Sequence, residues 1–489
     1  MSTVGLEQQQ LLIGGEWRDA QSGASYEKLN PYTGESAGQA AAASRDDARA
    51  AVEAAQAAFA GWAATPADDR AEVLRRASGL MMERQEAIAG TLTDETGGTF
   101  GWGMFNVQLA SGMLAFNADQ ADAPSGSEKI PSHIPGKDAR SVRQPVGVVV
   151  GIAPWNAPLI LGARAIAAPL AYGNTVVLKA SEECPRTHAT IVQALVDAGA
   201  PAGVVNLITN DPADAPDVVD ELIAHAAVRR VNFTGSTRVG RIVAENAARH
   251  LKRVLLELGG KAPMVVLADA DLDRAVAAAN FGAFMNQGQI CMSTERIVID
   301  SSVAGEFADR LGQRAGAMTV GDPRDPATQI GPMVNGGAVD RVKELVDDAV
   351  SKGATVVTGG EAEGPAFQPT VLSGVTPAMR IYSEETFGPV VSIVSVDGVE
   401  EAIATANDTE YGLSSAVFSG DVDAAMEVAR RLETGMCHVN DSTVHDEPQM
   451  PFGGVKDSGW GRFGGRAALD EFTELRWITV QSDPREYPI

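Results

Sequence analysis

Cysteine is scarce: the 489 residues include three, Cys184, Cys291 and Cys437. They are far apart, odd in number and without metal-ligand spacing. A disulfide framework and a zinc site are therefore not expected, no metal is expected at all, and a reducing cytoplasm suits the chain best. Positive charge is also in short supply, with a formal net charge of −25. Nucleic acid and anionic membranes both need basic surface, so neither is an expected partner. Long apolar runs are missing too. The longest, Val146–Ala153, is far too short to span a bilayer, and Met1–Gln10 has neither the basic region nor the apolar core of a secretory signal. With 45% hydrophobic and 21% charged residues, what remains reads as an ordinary globular chain, long enough for roughly two to four lobes.

A first strand region around Leu11–Trp17 precedes two helices, Asp46–Trp62 and a second running from Pro66 to about Ala89. Thr65 is the expected cap of that second helix, with Pro66 at its first position. From Asp119 to Arg143 the chain turns polar and proline-bearing, with no helical period, as a linker or protruding arm would. Val146–Ala153 then reads as a strand buried on both faces. Strands Thr175–Lys179, Val204–Ile208 and Val231–Phe233 alternate with helices Arg186–Ala198, Ala215–Ala226 and Arg238–Ala248. This rhythm predicts a parallel sheet covered by helices. A second series runs from Val254 to about Asn440, with strands at Met264–Leu267, Ile297–Asp300, Thr355–Thr358 and Val390–Val396. The expected fold class is therefore α/β, with two lobes meeting near Leu255. Leu475–Gln481 reads as one late strand with no obvious partner nearby.

Cys291 follows Asn286-Gln287-Gly288-Gln289-Ile290. A glycine just upstream lets the backbone approach closely, which suits a nucleophile at a loop; a lone cysteine is otherwise most often a buried structural thiol. Glu257 ends an apolar strand before Gly259-Gly260-Lys261. Apolar surroundings raise a carboxyl pKa towards neutrality, as a general base requires; the alternative is a strand-end ion pair with Lys261. Asn156 follows Pro154-Trp155 beyond the carboxyl end of a buried strand, where ligands of parallel sheets bind, and its amide can donate to an oxyanion or merely cap a turn. Phe233-Thr234-Gly235-Ser236-Thr237, with Gly240 following, opens a helix after a strand and places N–H groups and a hydroxyl where a phosphate binds. Lys179 and Glu182 end another strand, with ribose binding or plain surface charge both open. Arg164 is the only charge in the apolar helix Ala157–Tyr172. It either forms an ion pair with an acid elsewhere or points at the substrate.

Taken in order, Pro154-Trp155-Asn156, Lys179-Ala180-Ser181-Glu182, Phe233-Thr234-Gly235-Ser236, Glu257-Leu258-Gly259-Gly260-Lys261, Gly288-Gln289-Ile290-Cys291, Glu384-Glu385-Thr386-Phe387-Gly388-Pro389 and Pro451-Phe452-Gly453-Gly454 resemble the aldehyde dehydrogenase superfamily across nearly the whole chain. The resemblance implies Cys291 as nucleophile and Glu257 as base, with Asn156 and the Cys291 N–H as oxyanion hole. For the cofactor it implies Trp155, Lys179, Glu182, Gly235, Ser236, Gly240, Glu385 and Phe387, holding NAD with NADP as the other possibility. It implies two Rossmann-like domains and a small β oligomerisation element. Residues 1–118, 144–254 and 446–466 would form the cofactor domain, 255–445 the catalytic domain, and 119–143 with 467–489 the oligomerisation element of a homodimer or homotetramer. Cys291-Met292-Ser293-Thr294-Glu295-Arg296 and the run Thr443–Gly454 are most similar to the vanillin, benzaldehyde and salicylaldehyde dehydrogenases, which implies an aromatic aldehyde as substrate. Two departures stand out. Ser293, Thr294 and Glu295 replace the more widespread small residue and glycine before Arg296, and Asn210-Asp211-Pro212 replaces a glycine-containing turn near the cofactor. Three alternatives follow. A semialdehyde dehydrogenase would use Arg164 to hold a substrate carboxylate. A CoA-acylating relative would usually lack the base at Glu257. A non-catalytic protein on the same fold would have no need for Cys291, Glu257 and Asn156 together.

Overall fold

The computed structural model describes residues 8–487. Its centre is an eight-stranded sheet that contains five adjacent parallel strands, in the order 253–257, 228–234, 148–152, 175–179 and 205–208. Val148–Ile152 and Thr175–Lys179 are buried at every position, as continuous Val/Leu/Ile runs dictate when helices cover both faces. From Val148–Ile152 the chain winds outward through 175–179 and 205–208, then returns to lay Val228–Thr234 against the other side of the same strand. The strand order thus reverses between 148–152 and 228–234. Crevices at such a reversal, beyond the carboxyl ends of the strands, are where ligands of open α/β sheets bind.

A second sheet of seven strands holds 294–300, 262–266 and 414–418 at its middle, again parallel. Arg253–Glu257 pairs with Val228–Thr234, so it closes the first sheet rather than opening the second. The change of sheet falls in Leu258–Lys261, a few residues beyond the expected boundary at Leu255. The late strand finds a distant partner: Thr473–Gln481 pairs antiparallel with Lys137–Pro145, and Ser127–Ile130 flanks the other edge. The polar stretch after Asp119 is therefore a β arm, continuous in sequence with the central strand Val148–Ile152.

Further differences lie in the amino-terminal part. The stretch expected to be one helix from Pro66 is two, Ala67–Glu83 and Gln85–Thr96, joined at Arg84. Thr65 does not cap the first of them: its hydroxyl donates to Gly61 O of the preceding helix at 3.0 Å, and Pro66 stands at the capping position. An unexpected helix, Phe100–Asp119, packs on the apolar helix Pro158–Ala171. Every residue of the latter is buried. Its last carbonyls, which have no partner inside the helix, accept from Trp62 Nε1 at 3.0 Å and from Arg70 Nε at 2.9 Å. Among the described residues no helix is long and apolar enough to cross a membrane, and no cluster of side chains has the make-up of a metal site.

Candidate active site

The reversal of the first sheet gathers the predicted residues. Trp155 and Asn156 follow the end of strand 148–152, Gly235 and Ser236 follow 228–234, and Glu257 is the last residue of 253–257. Facing them are segments that lead into the second sheet: Cys291 just before strand 294–300, and Glu385 with Phe387 just before 390–396. Gly235 N–H donates to Glu257 O at 3.0 Å, tying two of these strand ends together.

The loop that presents Cys291 is built from residues with left-handed backbone, Asn286, Gln287 and Gly288. At Gly288 a side chain is excluded twice over. Its φ is +67°, and a Cβ would lie 2.1 Å from Gly388 O, so glycine is needed for the loop to close. Gln287 and Asn286 brace it by donating to Gly97 O at 3.1 Å, Pro332 O at 3.0 Å and Asn156 O at 2.9 Å. Asn156 returns the contact, its amide donating to Gln289 O at 3.0 Å. An amide nitrogen carries two protons, so one remains for a substrate oxygen. Among the described residues nothing accepts from the Cys291 N–H.

Glu257 is 1% exposed, and neither carboxyl oxygen has a hydrogen-bond partner among the described residues. Lys261 does not pair with it. That ammonium lies 2.6 Å from Glu295, whose other contacts are the N–H groups of Thr386 and Phe387 at 2.8 and 3.0 Å. Burial therefore dominates, and it pushes the Glu257 carboxyl up to about 7; the neighbouring Cys291 thiol and the Arg164 charge pull the other way. Cys291 keeps some contact with the cleft, yet burial, and after it the charge of Glu257, hold its thiol well above the usual value. The pair rests as a neutral thiol beside a carboxyl balanced near neutrality, the poise expected of a nucleophile activated by a base.

Two cavities meet at Cys291 and Asn156. One, of about 440 Å³, is lined by Trp155, Gly235, Ser236, Glu385 and Phe387 as well as by Cys291, Asn156 and Glu257. Into it opens the helix Thr237–Arg249, capped by the Ser236 hydroxyl, with its free N–H groups suited to phosphate. Phe387 holds its ring edge-on to Trp155, 5.8 Å between centroids. Helix N-terminus, carboxylate and aromatic wall together fit a dinucleotide. Lys179 and Glu182 are paired with each other at the end of their strand, away from this wall. Asn210 donates to Glu182 at 2.9 Å. Burial raises the Glu182 carboxyl, but Lys179 and Asn210 outweigh it and keep it low, hence ionised. Gly240 also stands behind the wall: a Cβ there would lie 2.4 Å from Leu258, so it serves the packing of helix on strand. Sequence reasoning missed Arg238, Arg341 and Tyr411 in the lining; they stand on separate elements and share no local pattern.

The other cavity is narrow, about 70 Å³, and reaches Cys291 and Asn156 past Trp102, Phe105, Phe281 and Phe452. These aromatics were also missed, two of them because the helix Phe100–Asp119 was not expected. Arg164 is on this wall, and it is paired. Its guanidinium contacts Asp446, with side chains only 6% and 9% exposed, and lies 4.0 Å from the centre of the Phe452 ring.

The chain matches the Aldehyde dehydrogenase family over residues 17–478. It is 55% identical over 480 residues to vanillin dehydrogenase of Pseudomonas fluorescens, spanning 98% of this chain and 99% of that protein. Among solved structures it is similar to salicylaldehyde dehydrogenase of Pseudomonas putida G7 in complex with salicylaldehyde, with a TM-score of 0.97 and 44% identity over 99% of this chain and 100% of the other. A NAD-dependent aldehyde dehydrogenase of Sinorhizobium meliloti gives a TM-score of 0.96 and 34% identity over 99% and 97%.

Proposed function

The chain belongs to the aldehyde dehydrogenase family, and on that premise we propose that it oxidises aromatic aldehydes of the vanillin, benzaldehyde or salicylaldehyde type to carboxylic acids. The observation that carries the reading is the meeting of an aromatic-walled cavity and a polar cleft at the Cys291 thiol, with the raised Glu257 carboxyl on the cleft side. Glu257 takes the Cys291 proton, and the sulfur adds to the aldehyde carbon. The oxygen of that adduct accepts from the free Asn156 N–H and from the Cys291 N–H. When bound, NAD(P) supplies the acceptor for the hydride that leaves the carbon. Ser236 and the helix it caps would hold its pyrophosphate, with Glu385 and Phe387 at the nicotinamide end and Lys179 and Glu182 at the adenosine ribose. Gly235 shapes the turn into that helix. Once Glu257 has passed that first proton to solvent, it deprotonates the water that hydrolyses the thioester left on Cys291, and the acid leaves with the thiolate restored. Arg164 is engaged by Asp446, which favours the ion-pair reading and argues against a free clamp for a semialdehyde carboxylate. A non-catalytic role is disfavoured by the intact thiol, base and amide.

NAD is the expected preference, since an ionised Glu182 repels a 2′-phosphate. The β arm and the late strand would join copies of the chain into a dimer or tetramer, and the unpaired cysteines suit the cytoplasm. The test is cofactor reduction followed by absorbance with vanillin, benzaldehyde and succinic semialdehyde. Fast turnover of the aryl aldehydes is expected, abolished in Cys291→Ala while NAD binding by fluorescence persists. Turnover of succinic semialdehyde alone would overturn the reading.

A further inference from the structure

We propose that Asp446 reads a hydroxyl group on the substrate ring and thereby sets which aromatic aldehydes are preferred; the proposal rests on the aromatic-aldehyde reading above. The tunnel wall is apolar apart from a few groups. His445 is engaged with Glu447, 2.9 Å from Nε2 to Oε1. Arg164 is engaged with Asp446 Oδ2 and stacks on Phe452. Asp446 is satisfied on one side only. Its Oδ1 is buried and has no hydrogen-bond partner among the described residues, although the side chain lines the same cavity as Cys291.

A buried carboxylate oxygen without a donor is costly, and a donor that reaches it forms a charge-assisted bond of about twice the usual strength. A ring held between Trp102, Phe105, Phe281 and Phe452, with its aldehyde at Cys291, can offer such a donor as a ring hydroxyl. A methyl ether in the same place has no proton to give. A ring carboxylate would meet the carboxylate of Asp446, and the one nearby guanidinium already has its charge balanced by that group, so the pair offers an anion no net attraction. The Arg164–Asp446 pair therefore acts as an acceptor for neutral hydroxylated rings and as a filter against anionic ones.

The experiment compares kcat/KM for benzaldehyde, for hydroxy- and methoxybenzaldehydes matched at each ring position, and for 4-carboxybenzaldehyde. In the natural enzyme at least one ring position should favour hydroxyl over methoxy by roughly tenfold to a hundredfold, and the carboxylated substrate should be slowest. Asp446→Asn separates this from steric size. Its amide oxygen must stay on Arg164, which donates only, so the NH2 faces the cavity and an acceptor becomes a donor of the same shape. The hydroxyl preference should then collapse towards unity and 4-carboxybenzaldehyde should gain, in a variant whose melting temperature shows it folded. If that variant fails to fold, the substrate series on the natural enzyme decides alone. Good turnover of benzaldehyde with no hydroxyl preference at any position, or a preference unchanged in Asp446→Asn, overturns the proposal and leaves the aromatic-aldehyde reading standing. Failure to oxidise any aryl aldehyde overturns both.

Discussion

Between about pH 4.5 and 7, Glu257 gives up its proton in the unfolded chain but holds it in the folded one, because burial raises its carboxyl from 4.5 to about 7. The folded state then binds more protons than the unfolded state, so this group's contribution to stability falls as pH rises through that window. Activity runs the other way: the base must be ionised, so kcat/KM should rise with pH through an apparent value near 7. Glu257→Gln removes the charge from both balances. It should greatly slow turnover or trap acyl-enzyme, visible by intact-mass spectrometry. At pH 8 it should also be more stable than the natural protein by on the order of 1–3 kcal/mol, measured by denaturant unfolding. A variant less stable at pH 8 would mean that the carboxylate has a partner it is not seen to have. Glu182 gives a second test at this scale. NAD should exceed NADP in kcat/KM, and Glu182→Gln should narrow the gap, because the repelled phosphate loses its opponent; a variant with the gap unchanged would place the discrimination elsewhere.

Among the elements, the segment before strand 390–396 depends on a residue outside the expected family pattern. Glu295 holds the Thr386 and Phe387 N–H groups and the buried Lys261 ammonium. Breaking one side of such a pair leaves an uncompensated charge, typically a loss of about 3–5 kcal/mol. Glu295→Gln should therefore lower stability by that order and weaken cofactor binding more than aldehyde binding, read from chemical unfolding and from the two KM values. Which elements could be read from the sequence has a physical pattern. Thr175–Lys179 announces itself as an unbroken β-branched and leucine run ending in a polar residue. Phe100–Asp119 was missed because Gly101, Gly103 and Gly112 interrupt it and its apolar residues do not form one stripe. Ser25–Leu29 and Ser36–Ala41, paired antiparallel, were missed because the first turns the charged Lys28 inward and the second is mostly small residues that give no alternation. Cys291, Glu257 and Asn156 were legible as residues of one site from their strand-end and glycine-flanked settings, and the roles proposed for them come from motif order. Arg164 was legible as a lone buried charge, but its partner Asp446 is 282 residues away, and no local pattern connects them.

For the molecule as a whole, the β arm leaves Leu475, Trp477, Ile478 and Val480 exposed on Thr473–Gln481, an apolar edge that a lone copy has no use for. Leu475→Glu with Trp477→Glu should shift sedimentation velocity towards the monomer while each chain keeps its helical signal; an unchanged sedimentation coefficient would remove the arm from the assembly. The Lys137–Pro145 strand of that arm passes within three residues into Val148–Ile152, the strand that leads to Asn156, so the proposed association surface and the proposed oxyanion-hole amide lie on one stretch of backbone. The two cavities that converge on Cys291 have a different consequence, one of traffic. If aldehyde and dinucleotide occupy these two spaces, they share only the wall formed by Cys291 and Asn156, so neither has to wait for the other to clear a passage. An unreactive aryl ketone lodged in the aromatic tunnel should compete with the aldehyde yet leave the dinucleotide free to bind, and its inhibition should persist however much dinucleotide is added.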